Sequence, residues 1–229
     1  MREFDLAIVI PCSKTKRTCP EAPASPDELE DLRNPPSRLR PYSLPARNLY
    51  LGRQHRALVA TVDAFRKRRP DLRTGLFIVS AGYGLLEERE PVVPYEAPLG
   101  QTRADWERRG QELGLPGQIA SLGKRARHVI VTLSAAYLTA AQLPTPELTN
   151  FVYLAGTDFA TRHPTARFVL AGREQARRYR KAERDVRAVV LERLLRTIAC
   201  RGLEALSAPD LNVLVTDAPA EPQLSLTLQ

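Results

Sequence analysis

With 229 residues, 43% of them hydrophobic, the chain is long enough to bury a sizeable core, and no stretch of it is continuously apolar over the length that spans a bilayer. Arg2, Glu3 and Asp5 lead straight into an apolar run without the pattern of a signal peptide, so the cytoplasm is the expected compartment. The formal charge of +8 is unevenly placed: residues 173–201 hold 10 Lys or Arg against 4 Asp or Glu, and residues 202–229 hold none against 4. Such a stretch suits polyphosphate or nucleic acid, although an Arg-rich helix in a soluble protein is more often a solvated face. Cys12, Cys19 and Cys200 form no even framework, and Cys12 and Cys19 lie too far apart for a zinc knuckle. Reduced thiols, no metal and no cofactor are expected.

In chain order, Leu6-Ala7-Ile8-Val9-Ile10 reads as a strand covered on both faces, and it ends in the polar turn Pro11-Cys12-Ser13-Lys14-Thr15-Lys16. A Pro-rich segment, 17–43, follows as a lid or binding loop, with a short helix conceivable only over Pro26–Leu32. Leu51, His55, Leu58, Val62 and Phe65 make one stripe of a helix from about Pro45 to Lys67, and His55 on that stripe is read as a packing histidine in preference to a catalytic one. Gly75–Val79 is a second buried strand, ending in Ser80-Ala81-Gly82-Tyr83-Gly84. An amphipathic helix over about Arg103–Lys124 is broken or bent near Gly114-Leu115-Pro116-Gly117. Strands at 128–133, 151–154 and 167–170 alternate with helical segments, including a short one through Ala141. A last helix, about Arg173–Ile198, turns Tyr179, Ala182, Val186, Val189 and Leu194 inward and Arg173, Arg177, Arg180, Arg184 and Arg187 outward. The expected fold is α/β, a mostly parallel central sheet flanked by helices, in one domain over 1–204; the tail, 205–229, has edge strands conceivable at Leu211–Val215 and Leu224–Leu228.

Ligands of open α/β sheets bind outside the carboxyl ends of the strands, so the two polar strand ends are the site candidates. Cys12 is either a nucleophile activated by Lys14, Lys16 or turn amides, or an inert thiol. Ser13, Lys14 and Lys16 suit an anionic group, although the Gly-rich run of a Walker loop is missing. Ser80 and Tyr83 form the second turn; Tyr83 and Tyr95 could stack on a base. Glu96 is a candidate general base or base-edge partner, and Asp158 is a second acid or a cap of the turn that follows it. Arg173, Arg177, Arg180 and Arg184 are candidate phosphate contacts.

Taken together, Pro11-Cys12-Ser13-x-x-Lys16, the helix start Ala46-x-x-Leu49-Tyr50-x-Gly52, Ser80-Ala81-x-Tyr83-Gly84-Leu85-Leu86 and Pro94-Tyr95-Glu96 resemble the YaaA-like proteins of bacteria and phage, a group linked by name to peroxide stress. The Pro-Cys-Ser-x-x-Lys element is also similar to that of the core domain of archaeosine synthase, which modifies a deazaguanine base in transfer RNA; there the lysine is followed by Pro-Tyr, here by Arg17-Thr18. The resemblance covers residues 5–100 and implies a uracil-DNA-glycosylase-like fold and a nucleobase or nucleic-acid context. The expected function is recognition of a nucleobase, nucleotide or nucleic acid, with action on the base or its glycosidic bond. The alternatives are a non-catalytic DNA-binding protein of stress response or defence, and a transferase for a small phosphate-bearing ligand.

Overall fold

The computed structural model describes residues 2–17, 23–25, 28, 35, 37–97 and 99–216. The first half contains β1 (Phe4–Pro11), a 3-10 turn (Ser37–Tyr42), β2 (Leu44–Pro45), α1 (Ala46–Leu49), α2 (Arg53–Arg68), β3 (Thr74–Ser80), β4 (Gly84–Glu87) and β5 (Pro91–Val92). The second contains α3 (Arg103–Glu112), α4 (Leu115–Arg125), β6 (Ala126–Val131), α5 (Ala135–Ala140), β7 (Phe151–Ala155), α6 (Thr157–Arg162), β8 (Phe168–Leu170), α7 (Arg173–Arg178), α8 (Val186–Arg201), a 3-10 turn (Leu203–Ser207) and α9 (Val213–Thr216). The fold is α/β, as expected from the alternation of apolar runs and helical stripes.

Six strands form the central sheet in the order β4-β3-β1-β6-β7-β8, and β2 pairs separately with β5. Every neighbouring pair of the large sheet is parallel except β3 with β4. Ile8 of β1 faces Leu76 on one side and Ile130 on the other, so β1 is central. The continuous apolar runs follow from that position, since both faces are covered. Leu6, Ile8 and Ile10 share one core layer with Leu58 and Val62 of α2 and Leu191 and Leu194 of α8. Ala7 and Val9 share the other with Ile119 of α4 and Leu138 of α5. From β1 the chain moves outward to β3 and β4, then crosses back to β6 on the opposite side of β1. That reversal opens a crevice at the carboxyl end of β1, where the Cys12 turn begins.

Both sheet edges are blunted by side-chain amides. Gln118 Oε1 accepts from Leu85 N at 2.7 Å on β4, and Asn212 Oδ1 accepts from Leu170 N at 2.8 Å on β8. Occupied edge donors are unavailable for pairing with another chain. Arg47 of α1 is tied down by Glu88 at 2.6 Å and Asp63 at 2.5 Å, and Arg66 reaches Glu88 at 2.7 Å. This cluster anchors α1, and with it Tyr50, to α2 and the β4–β5 turn.

Several expectations are corrected. The helix expected over Pro45–Lys67 is two helices, because residues 50–52 leave helical geometry to pair with the Cys12 turn. The one expected over Arg173–Ile198 is also two, since Arg180 adopts a left-handed φ of 52°. Such a conformation costs an L-residue roughly 1–2 kcal/mol and stops a helix. Ala182 is accordingly exposed and Arg187 half-buried, the reverse of the stripe. Leu211–Val215 forms no edge strand: α9 lies there, and Leu211, Leu214 and Val215 are buried in the layer that includes α8. The break in the third helix falls where expected, at Gly114 with φ +62°. Leu224–Leu228, Cys19 and most of the Pro26–Leu32 segment lie outside the described residues.

Burial lowers the pKa of each of His55, His128 and His163 below the ordinary 6.5. A histidine kept neutral by the fold but protonated in the unfolded chain stabilises the fold above its unfolded pKa. That stability is lost as the pH falls below 6.5 toward the folded pKa. Denaturant unfolding between pH 7.5 and 5.5 is expected to show falling stability, with a slope of up to about 1.4 kcal/mol per pH unit for each histidine titrating. His55→Phe is expected to flatten this slope.

Candidate functional site

The site begins where β1 runs out. Cys12 N still donates to Val79 O at 2.9 Å, so the thiol is placed by the β1–β3 register. The next residues then leave the sheet and pair with the end of α1: Lys16 bridges Tyr50, Arg17 N donates to Leu49 O at 2.9 Å, and Leu51 N donates to Thr15 O at 2.9 Å. The Ser13 hydroxyl donates to Thr15 O at 2.6 Å and accepts from Gly52 N at 3.0 Å. Gly52 has an ordinary φ of −56°, so it is needed for room: a Cβ there would lie 2.5 Å from Ser13 Cβ. Gly52→Ala is expected to displace the Ser13–Lys16 turn and weaken ligand binding at least about tenfold, with a stability loss of roughly 1–2 kcal/mol. Ligand titration beside denaturant unfolding separates the two effects.

The second strand end supplies a buried hydroxyl cluster. Ser80 Oγ accepts from Gly82 N at 3.2 Å and Tyr83 N at 3.1 Å, which occupies both of its lone pairs. Its own hydrogen therefore goes to Tyr95 Oη, 2.7 Å away. Tyr95 Oη also lies 3.1 Å from Tyr50 Oη, and it donates to Cys12 Sγ at 3.9 Å. Tyr137 Oη, from α5, lies 3.0 Å from the same sulfur. Burial raises the pKa of Tyr50, Tyr95 and Tyr137 well above the ordinary phenol value, so all three keep their hydrogens. Tyr83 is pushed up to about 12 by burial, and its hydroxyl is used on both the N–H and C=O of Val93, each at 3.2 Å.

Above this cluster lies a pocket of about 430 Å³ lined by Cys12, Ser13, Lys14, Lys16, Ala81, Tyr95, Glu96, Ala97, Leu99 and Tyr137. That volume is in the range of small-molecule sites. Lys16 is half-buried, with Nζ 4.2 Å from the centroid of the Tyr95 ring. Burial holds its pKa below the ordinary 10.5, and the nearby Cys12 and Glu96 offset part of that fall. Lys14 and Glu96 are exposed at the rim. The Tyr95–Glu96 side is stitched to the Pro-rich segment: Ala24 N donates to Pro94 O at 3.0 Å, and Glu96 N donates to Ala24 O at 3.0 Å. On the other side Arg109 Nε donates to Ala81 O at 3.0 Å.

Cys12, Ser13, Lys14, Lys16, Tyr95 and Glu96 thus come together, as the strand-end logic requires, and Ser80 sits beneath them. Tyr83 does not line the pocket; its ring meets Tyr95 edge-on at 5.0 Å inside the core. Tyr95 is 1% exposed and already has the Lys16 ammonium near its ring, which leaves little of it for stacking on a ligand. Asp158 is exposed in the first turn of α6 and is not part of the pocket wall. His55 is buried, with Nδ1 3.0 Å from Pro11 O and its ring against Tyr50. It braces the end of β1, which agrees with the packing role.

Arg173, Arg177, Arg180 and Arg184 are exposed. Arg173 pairs with Glu183 at 3.4 Å, whereas Arg177, Arg180 and Arg184 make no ion pair among the described residues. Asp185, the residue after Arg184, forms an ion pair with Arg53, the residue after Gly52. Sequence reasoning missed that link and also missed Tyr137. A signal for Tyr137 existed, because it lies six residues past β6, the strand that flanks β1. Among the described residues no group of three or more His, Cys, Asp or Glu could hold a metal ion, and no helix is long and apolar enough to cross a membrane.

No protein-family model matches the chain, and no curated protein matches it.

Proposed function

We propose that this protein recognises a nucleobase, nucleotide or nucleic-acid segment, with the ligand's base or sugar in the Cys12–Glu96 pocket and phosphates on Lys14 and the exposed arginines. The observation that carries this reading is the Asp185–Arg53 ion pair, which links the residue after Arg184 to the residue after Gly52, whose N–H donates to Ser13 at the pocket's edge. One anionic chain passing from Arg177, Arg180 and Arg184 to Lys14 would then present one of its units to the pocket. The combination of strand-end motifs further supports kinship with the YaaA-like proteins and a uracil-DNA-glycosylase-like fold. In such a protein Glu96 handles a proton at the base or the glycosidic bond.

Fluorescence polarisation with labelled oligonucleotides across a salt series tests this. The wild-type affinity is expected to fall steeply with salt, and the triple variant Arg177→Ala, Arg180→Ala, Arg184→Ala to lose about 2–3 from the log–log slope on duplex DNA. Lys14→Ala is expected to weaken binding and lower the slope by about 1. An affinity indifferent to salt and to both variants would overturn the reading. Should the arginine changes abolish binding while Lys14→Ala has no effect, the non-catalytic DNA-binding alternative is favoured.

A further inference from the structure

We propose that Lys16 is a carbonyl-trapping nucleophile, its amine condensing with an aldehyde that is carried near a phosphate. The first reason is compositional. The 34 basic residues are 29 arginines and 5 lysines, and two of the five, Lys14 and Lys16, lie in this one pocket. The other three, Lys67, Lys124 and Lys181, are exposed. Where a fixed positive charge suffices, this chain overwhelmingly uses arginine; an amine differs in that it can lose its proton and attack.

The second reason is placement. The backbone of Lys16 is held by the bridge to Tyr50, and its side chain lines the pocket while its neighbours Thr15 and Arg17 are exposed. It has no carboxylate within ion-pair distance among the described residues; its close partner is the face of the Tyr95 ring, which attracts the ammonium without neutralising it. A half-buried ammonium of this kind loses its proton more readily than a solvated one, in line with its depressed pKa. Glu96 lies in the same wall and can carry the protons the condensation needs.

The step balances without redox change. The Nζ lone pair forms a bond to the carbonyl carbon, and a proton passes from nitrogen to oxygen to give a carbinolamine. The C–O bond then breaks as the hydroxyl takes a proton from Glu96, which regains one as nitrogen loses its second proton, so amine plus aldehyde gives imine plus water. Lys14 at the rim suits the accompanying phosphate, which makes the ligand class a phosphorylated pentose in its open-chain form. Two sources share that chemistry, the ring-opened sugar left in a nucleic acid when a base is removed and a free pentose phosphate. The inference rests on the pocket being the ligand site proposed above.

The experiment treats full-length protein with sodium borohydride in the presence of an oligonucleotide containing one abasic site, and separately with 2-deoxyribose 5-phosphate, and maps adducts by peptide mass spectrometry. The expected result is a reduced secondary amine on Lys16 at yields roughly tenfold or more above those on the exposed Lys67, Lys124 and Lys181. Lys16→Arg is expected to lose it, and mapping of the wild type decides the matter even where that variant folds poorly. Adducts spread over all lysines in proportion to exposure, or none from either probe, would overturn the proposal. If the oligonucleotide binds in polarisation yet neither probe marks Lys16, the imine fails and the nucleic-acid reading stands. If only the free sugar phosphate marks Lys16 and no oligonucleotide binds, the imine stands and that reading fails.

Discussion

Ser80→Ala is expected to lower unfolding stability by about 3 kcal/mol and to reduce ligand binding in what remains folded. The Ser80 side chain is 1% exposed, accepts two backbone N–H groups of the β3–β4 turn and donates to Tyr95. Alanine leaves two buried donors, Gly82 N and Tyr83 N, without their acceptor, each costing roughly 1–3 kcal/mol. Gly84, with φ +75°, then has to hold the turn without the hydroxyl that closes it. Tyr95 loses the hydrogen bond that orients it, and with it the ring beneath Lys16. Tyr95→Phe is the informative control: it breaks the hydroxyl contacts and keeps the ring, so it is expected to cost less stability, about 1–2 kcal/mol. Denaturant unfolding of the two variants measures the difference, and equal losses would mean that the turn amides contribute nothing.

Gly110→Ala is expected to be at least as damaging, by about 3 kcal/mol or more, although alanine is the better helix former. Gly110 is buried in the last turn of α3, where that helix packs against α5. A Cβ built there would lie 1.8 Å from Ala140 O, a backbone atom that cannot rotate away. The helices must therefore separate, and α5 carries Tyr137, whose hydroxyl touches Cys12 Sγ. Alkylation of Cys12 in the folded variant is accordingly expected to proceed at a changed rate. An unchanged unfolding midpoint would show that α3 and α5 have freedom to slide. The substitution runs against intrinsic propensity, which isolates tertiary packing as the cause.

Much of the architecture was legible from residue patterns. Runs such as Leu6–Ile10 and Phe151–Leu154 cannot face water on either side, which forces them into a covered, mainly parallel sheet. The strand-end turns at Cys12 and Ser80 were legible as one site for the same reason, since adjacent parallel strands deliver their carboxyl ends to the same edge. What was not legible were the features produced by pairings distant in sequence. The Lys16–Tyr50 bridge broke an otherwise continuous helical stripe, and a left-handed Arg180 broke another. Local periodicity is blind to both.

The Cys12–Lys16 turn illustrates the division. Its amino acids determine the available chemistry: a thiol, hydroxyls and two of the five amines in the chain sit at the end of a central strand. Their individual roles come from the tertiary structure, because burial and neighbours set hydrogen-bond direction and proton affinity. Tyr83 goes into the core as a tie to Val93, Tyr95 lies under an ammonium, and Tyr137 arrives from beyond β6 to meet the sulfur. A side chain's type is local information, whereas what it faces depends on which distant strands and helices are packed beside it.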